Sequence, residues 1–142
     1  MKKNRIIRQI ASHFGRISIR IASALSFEAK KDSVREKTRM AIDEWIKEKG
    51  WTEDLSQVDV ARKFNLTSEQ LGQYFYTQTG MSFSKWRREL RIEEAKRIMH
   101  EDNKMPTVLV GESVGIPDKS NFRRQFKEIT GYTPAEWRQS EQ

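Results

Sequence analysis

The chain has 142 residues, one third of them charged, with no cysteine and only two histidines, His13 and His100. This excludes a disulfide framework and a thiolate metal site, and the histidines lie too far apart to read as a zinc motif. The net charge of +7 is concentrated in residues 1–27, where Lys2, Lys3, Arg5, Arg8, Arg16 and Arg20 stand without an acid. The remainder is near neutral, so a basic footprint has to come from clustering on one face.

Residues 5–27 predict an amphipathic helix whose Ile7, Ile10, Phe14, Ile17, Ile21 and Ala24 recur at steps of three and four. The polar and acidic residues 28–33 read as a boundary. A second helix is expected over 34–48, with Val34, Thr38, Ala41, Ile42, Trp45 and Ile46 on one stripe. Gly50 is expected to cap it in the left-handed conformation, with Trp51 folding back as its apolar partner. No stretch approaches the ~20 apolar residues of a membrane span, and no secretory signal is apparent.

Residues 56–64 predict a short helix with Val60, Ala61 and Phe64 inward, followed by a turn at Asn65-Leu66. Thr67 and Gln70 form a capping box for the next helix, which buries Leu71 and Phe75 and ends at Gly80. Ser82 caps a long helix from Phe83 to about His100, with Phe83, Trp86, Leu90, Ala95, Ile98 and Met99 as its apolar stripe. Pro106 opens a short helix through Val114, and a turn follows at Gly115-Ile116-Pro117. Asp118 caps a helix bearing Phe122, Phe126 and Ile129 that ends at Gly131. Thr133-Pro134 starts a last short helix carrying Trp137.

The downstream elements repeat. Thr79-Gly-Met-Ser-Phe-Ser-Lys-Trp-Arg87 returns 51 residues later as Thr130-Gly-Tyr-Thr-Pro-Ala-Glu-Trp-Arg138, and the same offset carries Leu71 onto Phe122 and Phe75 onto Phe126. Upstream the offset falls to 50, where Val60 meets Val110, so the second copy has a turn one residue longer. Each copy has the parts of a helix-turn-helix: small or β-branched residues where helices cross (Val60-Ala61, Val110-Gly111), a tight turn, and a second helix apolar on one side. At 100° per residue the opposite side holds Glu69, Gln73 and Tyr76 in the first copy and Ser120, Arg124 and Lys127 in the second, side chains that the core does not need and that can hydrogen-bond to base edges or phosphates of DNA. The helix between the copies, about 18 residues and roughly 27 Å long, suits two second helices set one DNA turn apart, about 34 Å.

The stretch from about Val34 to Arg138 resembles the DNA-binding domain of the AraC/XylS family of bacterial transcription regulators. The specific part runs from Val114-Gly-Ile-Pro-Asp118 through Lys119-Ser-Asn-Phe122, Arg123-Arg-Gln-Phe-Lys127, Gly131-Tyr-Thr-Pro134 and Trp137-Arg138. The first copy matches through Leu71, Phe75, Thr79-Gly80 and Phe83. The sequence departs from the family pattern at Gln73, where Arg is frequent, at Ile116-Pro117 for Phe-Ser, at Gly111 for Ala and at Thr107 for Ile. The resemblance implies an all-α fold of two helix-turn-helix subdomains (34–82 and 101–142) joined by a linker helix (83–100); the basic amphipathic segment (1–33) precedes it and lies outside the resemblance. It also implies that Lys119, Ser120, Asn121 and Arg124 read DNA in the second copy, and Glu69, Gln70 and Gln73 in the first.

Each of these residues has a plainer use beside the DNA role. Arg124 suits bidentate contact to guanine, or pairing with Glu128 four positions on. Lys119, Ser120 and Asn121 lie in a first turn that favours phosphate, or serve capping. Glu69 suits a cytosine amino group, or the helix dipole. Gln70 is already accounted for by its capping box, whereas Gln73 has no such duty. Trp86 and Trp137 read as core. The basic N-terminal helix has three readings: packing or self-association through residues 7–24, binding of an anionic surface, or a linker remaining from a longer parent.

The expected function is a sequence-specific, DNA-binding transcription regulator with double-stranded DNA as partner and RNA polymerase as a second candidate. The alternative is a helical protein-interaction module. Neither a cofactor nor a small-molecule site is expected. No nucleophile–base pair, phosphate loop or paired-carboxylate motif points to an enzyme. The expected location is the cytoplasm, with the nucleoid; a membrane-attached longer parent is compatible with it.

Overall fold

The structure is a computed structural model that describes the backbone of residues 2–141 and the side chains of residues 22–141. Among these residues it is all-helical. The elements are α1 (Lys2–Lys47), α2 (Gln57–Lys63), α3 (Ser68–Thr79), α4 (Phe83–Glu101), α5 (Thr107–Ser113), α6 (Lys119–Thr130) and α7 (Pro134–Ser140), with a 3₁₀ turn at Gly50–Thr52. None of the described helices is long and apolar enough to cross a membrane. The chain falls into two units, Met1–Ala41 and Ile42–Gln142.

The first unit is helix throughout its described length. The boundary expected at 28–33 is not a break, because α1 runs through it. Polar residues there signal solvent, whereas the strongest helix breakers are Gly and Pro, and residues 16–47 contain neither. Glu36 pairs with Arg39 at 2.6 Å and Asp32 with Arg35 at 3.8 Å along this solvated surface. Val34, expected on an inward stripe, is exposed, as are Leu25, Phe27 and Met40. The seam expected for self-association through residues 7–24 lies, as far as Ile21, on side chains outside the described residues.

The second unit contains two cores. Ile42 and Trp45 from the end of α1 join Trp51, Val60, Ala61, Leu71, Phe75 and Phe83 in the first. Ile92, Ala95 and Met99 from α4 join Val110, Val114, Ile116, Phe122 and Phe126 in the second. The long helix α4 is therefore shared: its first turn belongs to one core and its C-terminal half to the other. Ile92, which the sequence stripe omitted, is fully buried.

The cap after α1 differs from expectation. Lys49, at φ 57°, takes the left-handed conformation, and Gly50 begins the 3₁₀ turn. Gly50 is required for space: a Cβ there would stand 2.1 Å from Trp45 Nε1. Trp51 does fold back, donating its indole N–H to the Ile46 carbonyl at 3.2 Å.

Candidate nucleic-acid interface

The sequence repeat is a repeat of hydrogen bonds. The Thr79 hydroxyl donates to the Phe75 carbonyl at 2.7 Å and accepts the Met81 N–H at 3.1 Å. Thr130 does the same with the Phe126 carbonyl and the Tyr132 N–H, at 2.8 and 3.1 Å. Between them Gly80 and Gly131 adopt φ of 72° and 83°, closing α3 and α6. Ser82 and Thr133 then cap α4 and α7, Thr133 with a full capping box to Glu136. Such caps contribute about 1 kcal/mol each.

In the Trp-Arg pair that ends each copy, the tryptophan packs on the core as expected, and the arginine has a mechanical role that sequence reasoning missed. Trp86 packs against Phe75 and Trp137 against Phe126, with ring centroids 4.4 and 6.1 Å apart. The neighbouring Arg87 donates to the Leu55 carbonyl at 2.6 Å, and Arg138 to the carbonyls of Asn103 and Met105. Each arginine thus ties down the segment leading into the first helix of its own copy. The offset relates Leu55 to Met105, a pairing too weak in residue type to notice in sequence.

The turns differ as the change in offset requires: residues 64–67 link α2 to α3, and residues 114–118 link α5 to α6. Asn65 and Gly115, 50 apart, both adopt positive φ. Where the helices cross, Ala61 is fully buried in the first copy. Gly111 holds the same place in the second, where a Cβ would lie 2.7 Å from the Ile116 carbonyl oxygen. The Gly found in place of Ala therefore matches a closer crossing.

The outward faces of α3 and α6 carry the predicted residues. Glu69, Gln70, Gln73 and Tyr76 are exposed on α3, and Lys119, Ser120, Arg124 and Lys127 on α6. Two are committed locally. Gln70 Oε1 accepts the Thr67 N–H at 2.9 Å in the capping box. Asn121, half-buried, accepts from Arg124 at 2.7 Å and from Gln125 at 2.9 Å. Arg124 also reaches Glu128 at 3.4 Å, the pairing expected four positions on, and its side chain remains exposed. Among the described residues Gln73 donates to the nearby Thr77 hydroxyl, at 3.3 Å.

The two copies are locked to one another through α4. Buried Arg91 donates to the carbonyls of Trp51 at 2.7 Å and Glu53 at 2.6 Å. Burial, and then the neighbouring Arg87, hold its pKa down at about 10, so it stays cationic at neutral pH. Gly115, in the turn of the second copy, lies so close to this segment that a Cβ would sit 2.2 Å from the Thr52 carbonyl oxygen and 2.8 Å from the Arg91 guanidinium. Arg88 reaches across to Glu128 at 3.4 Å. Glu94 takes Lys49 at 2.8 Å and Arg97 at 2.7 Å. Hydrogen bonding from Arg97 chiefly, with Lys49 adding to it, brings the Glu94 pKa down to about 2.

Residues 60–140, more than half the chain, match a protein family described as a helix-turn-helix domain. The chain belongs to the AraC-type helix-turn-helix family. Among its relatives are the arabinose operon regulatory proteins of Salmonella typhimurium and Escherichia coli, each 38% identical over 79 residues. Those alignments take in 56% of this chain and 28% and 27% of the relatives, so the chain spans about a quarter of their length. A protein of unknown function from Listeria innocua has a similar structure, with a TM-score of 0.65 at 26% identity, covering 72% of this chain and 96% of that one. The DNA-binding domain of AdpA, solved in complex with a target DNA, shares the fold at a TM-score of 0.62 and 17% identity, over 72% of this chain and 90% of its own. In this AraC-type domain the repeat, the shared helix and the two outward polar faces are thus parts of one architecture.

Proposed function

We propose that this chain is the DNA-reading part of a transcription regulator, placing α3 and α6 in successive major grooves of one duplex. The observation that carries this reading is the pair of exposed polar faces on two helices held in fixed phase by a shared, doubly anchored rod. At 19 residues α4 is roughly 28 Å long, comparable with the ~34 Å between successive major grooves on one side of DNA. A flexible tether would lose that phase, whereas Arg91, Gly115 and Glu94 remove the freedom to lose it.

Arg124 is the residue best suited to base reading, through the O6 and N7 of guanine, once it leaves Asn121 and Glu128. Gln73 and Glu69 offer the first helix weaker and more selective contacts. Lys119, Ser120 and Lys127 suit phosphate, and Tyr76 an apolar contact at the groove wall. Gln70 and Asn121 act chiefly by shaping the helices that carry the others. Regulation of transcription follows from occupancy of the site, with RNA polymerase as the protein partner that such a site brings near.

The deciding experiment is selection of bound fragments from genomic or random DNA with the purified chain. The expected result is one asymmetric motif with two informative blocks separated by about one helical turn. Enrichment of no sequence over background would overturn the reading and favour a protein-interaction module.

A further inference from the structure

Between the first turns of α4 and the flank of α6 lies an open cleft of about 380 Å³. Five of its lining side chains are cationic, Lys85, Arg87, Arg88, Arg91 and Arg124, and none is acidic. We propose that this cleft seats one backbone phosphate of bound DNA, held by Lys85 and Arg88 and by the Ser84 hydroxyl, with Arg124 at its edge. This rests on the DNA reading above and adds a contact outside the two outward faces.

The floor of the cleft is fixed charge. Arg87 and Arg91 are anchored by their bonds to the Leu55, Trp51 and Glu53 carbonyls, so their guanidiniums stay in place whether or not an anion is present. Burial holds both below the usual arginine range, and each loses solvent that an anion would replace. The rim, by contrast, is adaptable. Arg88 and Arg124 share one carboxylate, Glu128, and both reach it at 3.4 Å. Charge-assisted bonds of full strength run at about 2.7–2.9 Å, so a better-placed anion can displace it. Arg88 Nε, shut off from solvent, has no hydrogen-bond partner among the described residues. Lys85 is exposed at the same rim.

The chemistry favours a phosphodiester over a base edge. A cleft of several converging cations suits a compact anion with several acceptor oxygens, and its lining offers no aromatic side chain on which a base could stack. The location fits as well. Arg124 belongs both to the cleft and to the outward face of α6, so a duplex lying on that face brings its backbone to the cleft. Contacts of this kind fix register without reading sequence.

The test compares the intact chain with Lys85→Gln on its selected DNA, measuring affinity across a range of salt. The expected result is several-fold weaker binding, a slope of log K against log salt smaller by about 0.9, and an unchanged selected motif. Methylphosphonates, placed one at a time along the DNA backbone, then locate the contact. The position whose neutralisation weakens the intact chain should give Lys85→Gln little further loss. Glu128→Gln, which removes the competing carboxylate, should bind more tightly than the intact chain. Parallel salt lines, or methylphosphonate losses that add fully to Lys85→Gln at every position, would overturn the phosphate seat while leaving selective DNA binding intact. A chain that selects no DNA at all would remove the parent reading, a result separable from either of these.

Discussion

Gly115 and Gly131 have nearly the same backbone, with φ of 79° and 83°, but opposite surroundings. A Cβ on Gly131 meets nothing within 4 Å, whereas one on Gly115 lands 2.2 Å from the Thr52 carbonyl oxygen and 2.8 Å from the Arg91 guanidinium. Gly131→Ala therefore measures the left-handed backbone alone, about 1–2 kcal/mol. Gly115→Ala adds a clash with main chain that cannot rotate away, and ordinary contact requires the two segments to part by more than 1 Å. Overpacking of that kind costs about 1–3 kcal/mol, so the total is roughly 2–5 kcal/mol. At roughly 3–5 °C per kcal/mol for a chain of this size, the two variants should melt several degrees apart. Circular dichroism with heat and with urea reads the difference. The same parting of the two copies disturbs their phase, so Gly115→Ala should also lose more specific DNA affinity than Gly131→Ala at a temperature where both are folded. Equal melting and equal affinity for the two variants would refute the claim that Gly115 is a locking contact.

Four further outcomes are expected. Arg124→Ala should weaken specific binding by about 1–3 kcal/mol and relax preference at one base position, read by repeating the selection with the variant. Glu94→Gln should flatten the acid limb of stability: a carboxylate whose pKa falls from 4.5 unfolded to about 2 folded contributes fully above pH 4.5 and loses that contribution as pH falls toward 2. Urea unfolding at pH 6 and pH 2 measures this, and an equal destabilisation at both pH values would count against it. Arg138→Met should cost about 1–3 kcal/mol by leaving the Asn103 and Met105 carbonyls without their donor, and Arg138→Lys should recover only part of it because one ammonium nitrogen replaces two guanidinium nitrogens that each reach a carbonyl. Deleting residues 1–27 should lower the mass in sedimentation and leave the salt slope per chain unchanged, as a helical seam through the Ile/Phe stripe requires; a salt slope smaller by about 0.9 for each lost phosphate contact would refute that.

Much of this protein follows from local chemistry that a sequence displays. The caps at Thr67, Ser82, Asp118 and Thr133 depend on a hydroxyl or carboxylate three residues from the N–H it accepts, and the stops at Gly80 and Gly131 on glycine's freedom at positive φ. The inward pairs Leu71/Phe75 and Phe122/Phe126 follow from helical periodicity, and the outward faces are their complement. What crosses the sequence was not legible. Arg87, Arg88, Arg91 and Arg138 look alike as exposed helix cations, yet three of them serve carbonyls 32–40 residues away. Gly50 and Gly115 look like ordinary turn glycines, and only the approach of Trp45 and Thr52 reveals that each also keeps a space empty. Hydrogen bonds within one turn are set by residue spacing along the chain. Long-range bonds and close approaches depend on where separate helices come to rest, so the phase between the two copies, and the cationic cleft it creates, exist only in the folded structure.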